Sequence, residues 1–125
     1  LYNLSNITFT IDGTWMPSPY WEEWPPMKDG SKLGPLFQVS DSEFINIDGS
    51  GTIEGQGYDW WVREWAHQNP NGRPDLLRYN RVQTGEIQGV SFRNSPSFHI
   101  HLIDIDSFYL HDFEIFVDIL KNKKS

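Results

Sequence analysis

Gly49-Ser50-Gly51-Thr52-Ile53-Glu54-Gly55-Gln56-Gly57-Tyr58-Asp59-Trp60-Trp61 is the stretch whose reading decides the fold. Four glycines stand at alternate or near-alternate positions around Ile53, and two adjacent tryptophans follow. Glycines so placed imply a backbone that turns tightly or is approached closely by another segment. No Lys-Ser or Lys-Thr pair directly follows them, which disfavours a phosphate-cradling loop. The reading is of turns between short strands.

Working outward, apolar-x-x-apolar-x-apolar recurs at Leu4/Ile7/Phe9, Ile87/Val90/Phe92 and Leu110/Phe113/Ile115. A degenerate copy begins at Ile47, and the four starts lie 43, 40 and 23 residues apart. An interval of 23 suits one coil of a β-solenoid, and the longer ones suit coils carrying large loops. Strand alternation appears in Ile7-Thr8-Phe9-Thr10-Ile11 and Phe98-His99-Ile100-His101-Leu102. It predicts Phe98, Ile100 and Leu102 on one face and His99 and His101 on the other. Residues 13–36 hold five of the eight prolines with Trp15, Trp21 and Trp24, and read as one long irregular loop. Residues 58–68 read as a short helix with Tyr58, Trp61 and Trp65 on its packed face and an Asp59–Arg63 pair.

Composition narrows the functional classes. A hydrophobic share of 38% with 15% aromatics provides a core, and no apolar run approaches a membrane span. Zero cysteines exclude disulfides and thiolate metal sites, and the His99/His101 pair brings no third ligand, so no metal or other cofactor is expected. A net charge of −7 disfavours nucleic acid as a partner. All five arginines lie within 63–93, the one stretch suited to meeting an anionic polymer.

The glycine-rich stretch, Trp60-Trp61, Arg73-Pro74 and Asn94-Ser95-Pro96 with Phe98 close behind occur in one order. Together they resemble the early landmarks of the polygalacturonases, family 28 of the glycoside hydrolases. The resemblance covers about residues 37–116. It implies an all-β, right-handed parallel β-helix, with residues 1–125 the N-terminal part of a single pectin-lyase-like domain. It implies inverting hydrolysis of α-1,4-linked galacturonate, with pectic polysaccharide or oligogalacturonide as partner and a secreted or cell-wall location. The long loop at 13–36 looks more like exo-acting and plant-like members than compact microbial ones.

The family's catalytic strings, Asn-Thr-Asp, Asp-Asp, Gly-His-Gly and Arg-Ile-Lys, do not occur in residues 1–125. No catalytic residue is therefore assigned; the acids are expected beyond Ser125, and the chain by itself is expected to be inactive. Substrate contacts are expected from His101, which the resemblance places in the cleft, and from Arg73, Trp21 and Trp24. Asp104 and Asp106 would lie about 7 Å apart on a straight strand, but are read as turn residues. Two further readings stand beside the enzyme: a non-catalytic carbohydrate-binding module using Trp15, Trp21, Trp24 and Arg73, and an inactive fragment.

Overall fold

Among the described residues nine strands stack their inward apolar side chains rung upon rung. A computed structural model describes residues 1–18, 20–24, 33–70 and 72–117, with the Trp21 side chain outside what it describes. The strands are β1 (Ser5–Thr10), β2 (Thr14–Trp15), β3 (Phe37–Asp48), β4 (Thr52–Glu54), β5 (Leu77–Gln88), β6 (Ser91–Arg93), β7 (Ile100–Ile103), β8 (Asp106–His111) and β9 (Glu114–Phe116). One helix, α1 (Tyr58–Trp65), and a single 3-10 turn at Trp21–Glu23 complete the described elements.

Every pairing is parallel. One sheet runs β1-β3-β5 with β7 and β8 both on β5; the other runs β2-β4-β6-β9. Leu77 faces Ile100 and Gln88 faces His111 in one continuous register, so β7 and β8 are a single strand interrupted at Asp104. Chain alternating between two parallel sheets in this way is a right-handed parallel β-helix, here with four rungs in each sheet. Among the described residues no helix is long and apolar enough to cross a membrane.

Two columns of left-handed residues bend the long strands. Asn3, Asp41, Arg81 and Asp104 stack in one column, and Asn6, Phe44, Thr84 and Ser107 in the other, with φ between 52° and 57°. Each bend resets the pleat, so inward positions skip from two residues to three. Val39, Ser42, Ile45 and Ile47 are buried on β3; Tyr79, Val82 and Ile87 are buried on β5. Apolar-x-x-apolar-x-apolar is therefore the sequence trace of a bend, with its left-handed residue in the gap. Burying each such side chain contributes about 1.5–3 kcal/mol.

The register corrects one interval. Ile47 pairs with Ile87 and Ile87 with Leu110, as the spacings of 40 and 23 imply. Ile7, however, pairs with Ile45 and Phe9 with Ile47, a coil of 38 residues rather than 43. The Leu4/Ile7/Phe9 motif brackets the bend at Asn6, whereas Ile87/Val90/Phe92 brackets a different corner, at Gly89. The 43-residue interval compared two unlike corners.

Three local expectations change. The 13–36 segment contains β2 and the 3-10 turn, while residues 19 and 25–32 of it lie outside those described. The helix ends at Trp65, and its buried side chain is Trp60, set edge-on against Trp24 at 6.1 Å. Trp65 is 87% exposed, so the packed face is not the one that the Tyr58/Trp61/Trp65 spacing suggested. Phe98 lies outside β7, and its ring is 60% exposed instead of sharing the inward face of Ile100 and Leu102.

Candidate active-site edge

Asn94 begins the site by leaving β6 with φ of 52°. Its side-chain amide donates to both oxygens of Glu54 at 3.1 and 3.0 Å, and its backbone N–H donates to the Phe116 carbonyl at 2.8 Å. Its own carbonyl accepts from Gly57 N–H. A Cβ on Gly55 would sit 2.6 Å from that carbonyl oxygen, which is why glycine stands there. The Asn-Ser-Pro landmark is thus a corner clamped to the rungs on either side.

Ser95 is buried and fixes the next residues. Its Oγ donates to the Phe98 carbonyl at 2.8 Å, its N–H donates to His99 Nε2 at 3.3 Å, and its carbonyl accepts from Trp61 Nε1 at 3.0 Å. His99 is half-buried; desolvation holds its pKa below the ordinary histidine value, against hydrogen bonding to the Phe116 backbone and the charge of Glu54. Its Nε2 accepts, so the ring is neutral there.

Asp75 organises the outward side. Its carboxylate is buried, yet Oδ1 accepts the Phe98 N–H at 3.1 Å while Oδ2 faces Arg78 Nη2 at 2.8 Å and His101 Nδ1 at 3.1 Å. A carboxylate beside a guanidinium is ionised and only accepts, so His101 carries its proton on Nδ1. Nε2 is left as the ring's other polar atom. Arg78 and His101 are register partners on β5 and β7, and Gln38 of β3 precedes them in the same row. The row brings the Arg78–Asp75 ion pair and the His101 ring together on one edge.

Arg73 also reaches this corner, donating to the Pro96 carbonyl at 3.0 Å and lying 3.6 Å from Glu64. His101 and Arg73 are therefore both tied to the 94–101 segment. Trp24 is not: it is buried with Leu33 and Trp60 in a separate cluster, its Nε1 donating to the Ser18 carbonyl, so it packs rather than offering a ring face. Trp21 belongs to the 3-10 turn, and its side chain lies outside the described part. Asp104 occupies a bend and Asp106 faces outward on β8, so the pair does not share a straight strand. Among the described residues no group of three metal-ligating side chains comes together.

Asp75 and Glu54 went unnoticed in the sequence, where each is a lone acid without a periodic partner. Arg78 three residues after Asp75 was the available signal.

The family model of glycosyl hydrolases family 28 matches residues 3–120. The chain belongs to that family. Among its family 28 relatives is a polygalacturonase of Chamaecyparis obtusa, 28% identical over 76% of this chain and 18% of the relative. An exopolygalacturonase of Platanus acerifolia is 28% identical over 82% of this chain and 26% of its own. A probable rhamnogalacturonase A of Aspergillus oryzae is 33% identical over 60% and 16%. The matched segments thus span about a quarter or less of these family 28 proteins.

Proposed function

We propose that these residues form the early rungs of a pectin-degrading glycoside hydrolase of the polygalacturonase type. The family match across residues 3–120 carries the reading. The substrate is α-1,4-linked galacturonate in pectic polysaccharide or oligogalacturonide, and the site of action is extracellular or at the cell wall. One carboxylic acid protonates the leaving oxygen, and other carboxylates activate water on the opposite face of the ring. Those acids come from chain beyond residue 125, because no family catalytic string occurs within it. In this reading His101 accepts from a sugar hydroxyl, held in orientation by Asp75, and Arg73 braces the neighbouring corner.

The test uses the protein carrying these residues at its full natural length. It should release reducing ends from polygalacturonic acid, with the new anomeric centre inverted by NMR. His101→Ala should lower kcat/KM by about 5- to 150-fold, the equivalent of one lost polar contact of roughly 1–3 kcal/mol. Its melting temperature should stay near that of the unsubstituted protein. Binding of oligogalacturonide without any turnover would favour a carbohydrate-binding role, and neither binding nor turnover would end the pectin reading.

A further inference from the structure

Phe98 combines a fixed backbone with an open ring. Its N–H donates to the buried Asp75 carboxylate, and its carbonyl accepts from Leu76 N–H at 3.1 Å and from the buried Ser95 hydroxyl at 2.8 Å. The side chain is nonetheless 60% exposed, and its ring centroid lies 5.2 Å from that of His101 at a tilt of 56°. Single exposed aromatics on a protein surface ordinarily need no explanation. This one differs because its main chain is immobilised at both polar groups and its neighbour is anchored on the same carboxylate. A ring held this way loses little conformational freedom on meeting a ligand.

We propose that Phe98 is a stacking platform for one hexuronate ring of the substrate, at a binding subsite it shares with His101. The flat aromatic face meets the apolar C–H face of the pyranose. His101, a ring's width away, accepts a hydrogen bond from a hydroxyl of that sugar through Nε2, since Nδ1–H is committed to Asp75. Arg78, the register partner of His101, is ion-paired with the same Asp75 carboxylate and so helps to hold that edge in place. This subsite rests on the pectin reading above and adds to it a residue that recognises the ring rather than its charge.

The experiment is calorimetric titration of the full-length protein with tetragalacturonate and with its fully methyl-esterified form, at a temperature low enough that product analysis finds no turnover during the titration. Phe98→Ala should weaken binding of both by roughly 3- to 10-fold, and His101→Ala should likewise weaken both, because Nε2 meets a hydroxyl that the two forms share. Phe98→Trp should keep affinity and Phe98→Leu should lose part of it, which separates a flat ring from mere apolar bulk. Trp65→Ala, more exposed and on α1, should change neither. Equal affinities for the Phe98→Leu, Phe98→Ala and unsubstituted proteins would overturn the platform while leaving the pectin reading intact. Failure of the unsubstituted protein to bind tetragalacturonate would overturn both.

Discussion

Asp75 and His101 stand 26 positions apart in the chain, yet Asp75 Oδ2 and His101 Nδ1 are 3.1 Å apart, across the boundary between two rungs. The β-helix makes this routine: one coil of 23 residues returns the chain to the row it left, so Arg78 and His101 become neighbours. A single buried carboxylate then sets the histidine's tautomer, one arginine's position and the backbone of Phe98 at once. Chemistry at this edge is organised by Asp75 rather than by the histidine that touches substrate in the proposal.

Removing that carboxylate should therefore cost more stability than its size suggests. Asp75→Ala removes the buried carboxylate that Arg78, His101 and the Phe98 N–H share. The expected loss is about 3 kcal/mol, the low end for a broken buried pair because Arg78 and His101 are partly reached by water. Asp75→Asn keeps an acceptor but not the charge and should lose less. Urea unfolding of the three proteins checks the order, and an alanine variant as stable as the aspartate would show that the cluster is not what holds this corner.

The two ends of α1 make a second contrast. Trp60 is 2% exposed and meets Trp24 edge-on, so Trp60→Ala opens a cavity and should lose about 3–5 kcal/mol. Trp65 is 87% exposed, and Trp65→Ala should stay within about 0.5 kcal/mol of the unsubstituted protein. Thermal unfolding measures both. A large loss at Trp65 with none at Trp60 would mean that the helix packs by the face its 58/61/65 spacing suggested.

That helix shows where sequence reading stopped. Apolar spacing over two turns fits more than one face, and the choice is made by Trp24, a loop residue expected at the substrate that instead packs on Trp60. The solenoid itself was legible, because Ile47, Ile87 and Leu110 repeat at true coil lengths. The columns of bends were not. Phe44, Arg81 and Thr84 adopt positive φ against the steric preference of L-residues, at about 1–2 kcal/mol each. Parallel pairing with the rungs on either side holds them there. At the site, the resemblance singled out His101, but its partner could not be read, since a contact across rungs leaves no local pattern.

The last prediction concerns pH. His111 on β8 has Nδ1 2.8 Å from Asp112 and Nε2 3.3 Å from Glu86, with the Tyr109 ring against it. Hydrogen bonding to Asp112 is the main cause of a pKa above the ordinary histidine value; desolvation opposes it, and Glu86 adds to it. Because the folded state holds this proton more tightly than the unfolded chain, the cluster's stabilisation is complete below about pH 6.5. It is lost as pH rises through the folded-state pKa. His99 has the opposite sign: burial lowers its pKa, so its protonation withdraws stability as pH falls below the unfolded value. Imidazole titration by NMR should therefore place His111 above and His99 below the free-histidine midpoint. Asp112→Asn should lower the His111 midpoint more than Glu86→Gln does, and His111→Gln should flatten the alkaline side of the stability curve alone. A His111 midpoint that ignores Asp112→Asn would show that the pair does not persist in solution.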